Sequence, residues 1–158
     1  MKSIAVAVLM GSESDMAVME RATQMLSRLG ISHDTFVLSA HRSPAKTREF
    51  ARAARSRGIK VIIAGAGMAA HLPGVVASET TLPVVGVPLA RSALGGLDSL
   101  HSIVQMPSGV PVATMAIGEA GATNAAILAA EILALTDQRL ARRLAAYKRK
   151  LASGRRAT

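Results

Sequence analysis

The sequence predicts an open, mostly parallel α/β sheet in three layers, with helices on both faces. Short apolar, β-rich runs alternate with helical ones along the chain, the order that a parallel sheet with crossover helices requires. Runs such as Val61-Ile62-Ile63 are apolar at every position, as strands buried on both faces must be. Half of the 158 residues are hydrophobic, but 2% are aromatic and none is Trp, so the core is Val, Ile, Leu, Ala and Met. A chain of this length forms one ordinary domain. The reading is a single domain over 1–158, with an α/β core over 1–136 and a basic C-terminal helix and tail over 137–158.

The first predicted strand is Ile4 to Leu9, broken by Met10-Gly11-Ser12-Glu13-Ser14-Asp15. Ser12 or Ser14 caps a helix from about Asp15 to Leu29, and Gly30 is its natural stop. Met16, Met19, Ala22, Met25, Leu26 and Leu29 recur at helical spacing and form its core face. Ser32 to Leu38 is the second strand. The next helix runs from Ala45 to Arg57, with Pro44 near the first turn, where a missing N–H costs least. A third strand, Lys60 to Ala64, gives way to Gly65-Ala66-Gly67-Met68-Ala69-Ala70-His71-Leu72-Pro73-Gly74. A short helix over Val75 to Thr80, a strand over Pro83 to Pro88 and a helix over Ser99 to Met106 follow. Val110 to Ile117 is the fifth strand, and Ala122 to Leu135 an Ala-rich helix. Asp137 caps a last helix whose narrow stripe of Leu140, Leu144, Tyr147 and Leu151 suits docking on a neighbouring subunit.

Several function classes drop out. Without Cys there are no disulfides, thiol nucleophiles or thiolate metal sites. No 18-residue apolar stretch occurs, and Met1-Lys2-Ser3 leads into a strand rather than a signal-peptide core, so a cytoplasmic protein without membrane contact is expected. The formal charge of +9 looks like a nucleic-acid signal until it is located. Residues 139–158 hold 8 basic side chains and no acid, while the rest carries 11 basic against 10 acidic. A solvated helix face explains this better than RNA or DNA binding, and no nucleic-acid partner is expected. No His, Asp and Glu share metal-ligand spacing, so no metal is expected; His33 and His101 have no partner pattern.

Right-handed crossovers place the strand C-terminal ends on one rim, where ligands bind in such sheets. The loops Gly11 to Asp15, Ser39 to Pro44 and Gly65 to Gly74 all fall there. In the first, a phosphate can sit on backbone N–H groups near Ser12 and Ser14 while Asp15 accepts from ribose hydroxyls. Plain helix capping would use the same residues. The loop lacks a Walker A lysine, which argues against an NTPase. In Ser39-Ala40-His41-Arg42-Ser43-Pro44, Arg42 offers a guanidinium fork to a phosphate and His41 can move a proton near neutral pH. An exposed His and a solvated Arg are the bland alternative. Gly65 to Ala70 matches G-x-G-x-x-A, but it follows the third strand and no acid lies about twenty positions on, so a dinucleotide site is a poor fit. A small-residue wall through Gly67 and Ala70, beside His71 and Leu72, fits better.

Taken together, Gly11-Ser12-x-Ser14-Asp15, Ser39-Ala40-His41-Arg42-Ser43-Pro44 and Ala64-Gly65-Ala66-Gly67-x-Ala69-Ala70-His71-Leu72-Pro73-Gly74 resemble the N5-carboxyaminoimidazole ribonucleotide mutase family of purine biosynthesis. Leu82-Pro83-Val84-Val85-Gly86-Val87-Pro88, Asp98 to Pro107, Gly109-Val110-Pro111-Val112-Ala113-Thr114 and Asn124-Ala125-Ala126 match as well. The resemblance covers about Ile4 to Leu135. It implies a flavodoxin-like fold with a five-stranded parallel sheet, a homo-octamer, and catalysis without metal, organic cofactor or ATP. The implied reaction moves a carboxylate from nitrogen to ring carbon of an aminoimidazole ribonucleotide, with an ATP-dependent synthetase as a possible partner. His41 becomes the general acid/base, and His71, on the loop after the third strand, is counted with it as catalytic. Ser12, Ser14, Asp15, Ser39, Ala40 and Arg42 become ligands to the phosphate and ribose, and Gly67, Ala70 and Leu72 the wall near the migrating carboxylate. His71-Leu72-Pro73-Gly74 resembles the bacterial class; direct carboxylation of the aminoimidazole ribonucleotide with CO2, as in the animal-type class, is the alternative. A non-catalytic nucleotide- or RNA-binding module is a remote one. The family usually has Gly at the position of Met68 and often Trp at that of Met16.

Overall fold

In the computed structural model, which describes residues 4–154, five parallel strands lie in the order β2-β1-β3-β4-β5. The strands are β1 Val6–Met10, β2 His33–Val37, β3 Val61–Gly67, β4 Val84–Leu89 and β5 Ala113–Thr114. The helices are α1 Met16–Arg28, α2 Pro44–Ala53, α3 Leu72–Glu79, α4 Leu97–Val104, α5 Glu119–Ala134 and α6 Gln138–Ala152. This is the flavodoxin-like arrangement that the resemblance implies.

Strand side chains alternate between two cores, which sets the layers. Val6, Val8 and Met10 face α1 and α5, together with Val61, Ile63, Val85 and Val87. Ala7 and Leu9 face the other way, with Ile62, Ala64, Phe50 of α2, Val76 of α3 and Ile103 of α4. The chain therefore leaves β1 toward one face and β3 toward the other. A crevice opens between their C-terminal ends, the usual ligand position in an open α/β sheet. Edge strand β2 packs Phe36 on Phe50 with ring centroids 4.7 Å apart, and the Arg57 guanidinium lies over both rings.

Several boundaries differ from expectation, each for a physical reason. A 3-10 turn over Glu13–Asp15 precedes α1, with Ser12 as its cap. Met16 is 40% exposed, so the core face of α1 begins at Met19. Strand β3 runs on through Gly65, Ala66 and Gly67, because its backbone pairs with β1 and then with β4 as far as Leu89. The glycine motif is thus mostly strand, and a Cβ on Gly65 would collide with the Met19 thioether. Helix α3 begins at Leu72, three residues before the expected start, with Pro73 in its first turn. Strand β5 shrinks to two residues; Pro111 has no N–H for the ladder, and pairing is limited to Ala113 and Thr114.

The last helix departs most from expectation. Its stripe does not wait for a neighbouring subunit: Leu140 and Leu144 are buried in the core shared with α1 and α5, and only Leu151 stays exposed. Asp137 caps it as expected, accepting from the N–H groups of Arg139 (2.9 Å) and Leu140 (3.1 Å). Residues 155–158 of the expected basic tail lie outside the described residues, as do Met1-Lys2-Ser3. No helix among the described residues is long and apolar enough to cross a membrane.

Candidate active site

A cleft of about 460 Å³ lies over the C-terminal ends of β1, β3 and β4. Each wall comes from a segment that has just left a strand. Ser12, Ser14 and Asp15 follow β1; Ser39, Ala40, His41 and Arg42 follow β2; Gly67, Ala70, His71 and Leu72 end β3 or open α3. All eleven sequence-predicted site residues line this one cleft. His33 does not; its Nδ1 lies 2.8 Å from the Ile31 carbonyl oxygen, at the other end of the sheet.

The β2–α2 corner is held by its own side chains. Ser43 and Thr47 both donate to the Ser39 carbonyl, at 3.1 and 3.3 Å, and Thr47 is fully buried. Arg42 is pinned as well. Its Nη2 donates to the Gly11 carbonyl oxygen at 2.6 Å, and its backbone N–H donates to Ser39 Oγ at 3.1 Å. Arg42 therefore staples the loop after β1 to the loop after β2.

His41 meets His71 across the cleft, with Nε2 2.6 Å from Nδ1 and the rings nearly perpendicular at 82°. For this contact to be a hydrogen bond, one of these nitrogens carries the hydrogen and the other offers a lone pair. The contact is a ready path for a single proton.

Asp15 is 6% exposed. Burial, the dominant influence, pushes its carboxyl above the usual carboxylate range; Arg91, the Ser12 N–H and Arg42 all act in the opposite direction. Arg91 is the functional candidate that sequence reasoning missed. Its Nε lies 3.4 Å from Asp15 Oδ1, and it lines the cleft from the loop after β4. The available signal was its position just past the end of a fourth parallel strand, on the same rim. Met68 also lines the cleft, with φ at 54°, and is 60% exposed. Among the described residues no three His, Asp or Glu side chains converge on a metal position.

The family model for AIR carboxylase matches residues 5–154. The chain belongs to the AIR carboxylase family. It is 56% identical to the N5-carboxyaminoimidazole ribonucleotide mutase of Haemophilus influenzae, over 93% of this chain and 90% of that protein. It is 58% identical to the mutase of that name from Bacillus subtilis, over 88% and 86% of the two chains. The crystal structure of Treponema denticola PurE matches with a TM-score of 0.86 at 28% identity, covering 95% of this chain and 92% of that one. Family membership accounts for the matched cleft motifs along one register.

Proposed function

We propose that this AIR carboxylase family member is a mutase, an isomerase that converts N5-carboxyaminoimidazole ribonucleotide to the 4-carboxy isomer without ATP. The observation that carries the mechanism is the His41–His71 contact inside a cleft walled by Gly67, Ala70 and Leu72. Proton movement and CO2 retention both need such a place.

The phosphate and ribose are held at the outer end by Ser12, Ser14, Asp15, Ser39, Ala40 and Arg42, which supplies binding energy remote from the reacting carbon. His41 delivers a proton to the exocyclic nitrogen as its bond to the carboxylate carbon breaks. The bonding electrons stay on nitrogen and CO2 is released into the cleft. The electron-rich ring carbon then attacks CO2, forming the new C–C bond, and His41 takes up the proton that this carbon loses. His71 holds the His41 ring in line for both transfers. One proton is given and one recovered, and nothing is oxidised. The small apolar wall keeps water away and CO2 close between the two bond changes.

Incubating freshly made N5-carboxyaminoimidazole ribonucleotide with the enzyme, without ATP, tests this spectroscopically; prompt conversion is expected. His41→Asn should lower kcat by about 10²–10⁴-fold, the usual weight of general acid–base catalysis, with nucleotide binding retained. Near wild-type turnover in that variant would remove His41 from the mechanism. Efficient carboxylation of the aminoimidazole ribonucleotide at low bicarbonate would instead favour the direct carboxylase. The family resemblance further supports a homo-octamer working in the cytoplasm, supplied by an ATP-dependent synthetase that makes the labile substrate.

A further inference from the structure

We infer that Arg91 is a substrate-binding residue, the cation whose free donors grip an anionic group of the ligand at the Asp15 end of the cleft. The assignment deepens the proposed function and rests on its anionic ribonucleotide.

The two cleft arginines are used differently. Arg42 donates to Gly11 and Ser39, so part of its fork is committed to holding two loops together. The Arg91 guanidinium has one polar partner among the described residues, Asp15, met through Nε, which leaves both terminal nitrogens without a protein acceptor there. A guanidinium carries five N–H donors in a planar fork suited to phosphate or carboxylate oxygens. At 40% side-chain exposure the Arg91 head can reach a ligand, while the buried Asp15 carboxylate fixes its direction.

The backbone is shaped for this side chain. A Cβ on Gly67 would lie 2.6 Å from Arg91 Cγ and 2.7 Å from its Cβ, so the absence of a side chain there seats the arginine stem across the end of β3. The other charged or titratable groups lining the cleft with Asp15 are Arg42, His41 and His71. Among the described residues, Asp15 is the cleft's single carboxylate. It balances one arginine, and the second leaves net positive charge for an anionic ligand.

The test uses the full-length enzyme with Arg91→Gln and Arg91→Lys. Ribose 5-phosphate binding is measured by calorimetry, and KM and kcat are measured for the N-carboxylated ribonucleotide. Arg91→Gln should weaken ribose 5-phosphate binding and raise KM by roughly 10- to 100-fold, the loss expected for hydrogen bonds to a charged group, with kcat changed far less. Arg91→Lys should recover part of the loss, because it restores charge but not the fork. Unchanged affinity and KM in Arg91→Gln, or a loss confined to kcat, would overturn the assignment. Because ribose 5-phosphate binding is read independently, the proposal stands or falls even if the wild-type enzyme fails to isomerise the ribonucleotide. A circular dichroism spectrum matching wild type is expected for both variants. If Arg91→Gln alone were misfolded, wild-type affinity in Arg91→Lys would still count against a fork-specific grip.

Discussion

At the residue scale, two cleft residues, Asp15 and Met68, carry a cost to the fold. Burial raises the Asp15 carboxyl, so the folded state favours the neutral acid. The stability this contributes is complete below the ordinary value of 3.8 and is lost as pH rises through the higher folded value. At neutral pH the charged carboxylate therefore weighs against the folded state. Asp15→Asn should raise the melting temperature at pH 7 yet weaken ribonucleotide binding, the gain fading near pH 3, below the carboxylate range. Thermal melts at the two pH values check this, and a lower melting temperature for the variant at pH 7 would contradict it. Met68 is a second cost: a side chain in the left-handed region costs about 1–2 kcal/mol, and at 60% exposure burial offsets little of it. The family resemblance places Gly there, which fits this backbone. The chemistry of His41 and Arg42 was legible in their own corner. The His41–His71 contact was not, because the partners lie 30 positions apart.

At the element scale, hydrophobic periodicity placed the α-helices and strands in order. The strand errors came where tertiary pairing moved an end, while α2 stops at Ala53, short of the expected Arg57, and the 3-10 turn before α1 was not expected. β3 outran its apolar core because two neighbouring strands bond it, and β5 fell short at Pro111. The α6 stripe was legible but its partner was not, since a narrow apolar stripe looks the same whichever surface covers it. Leu144, 6% exposed in the α1/α5 core, makes α6 an integral layer of the chain. Leu144→Ala should destabilise the protein by about 2–5 kcal/mol, as for other buried Leu truncations, with the cleft chemistry retained in the folded fraction. Chemical denaturation measures it. A change under about 0.5 kcal/mol, the range typical of surface substitutions, would mean that the helix is only loosely attached.

At the scale of the whole molecule, the separate chain leaves Leu94 at 63%, Leu97 at 55% and Val104 at 52% exposure, around α4. Apolar exposure of this kind suits an interface, which supports the proposed homo-octamer. Light scattering should give a mass about eight times that of the chain if closed symmetric assembly holds. A stable monomer across working concentrations would end that proposal. The sequence by itself determined the α/β class, the order of elements, the common rim of the loops and the corner bearing His41 and Arg42. Those follow from local periodicity, capping chemistry and the handedness of crossovers, all of which act over short stretches of chain. Only the tertiary structure decided that the loop after β4 joins those after β1, β2 and β3 in one cleft, that His41 meets His71, that Arg91 reaches Asp15 and that α6 seals its own core. These are contacts through space between segments far apart in the chain. They depend on strand order and on packing volume, which no local pattern of residues encodes.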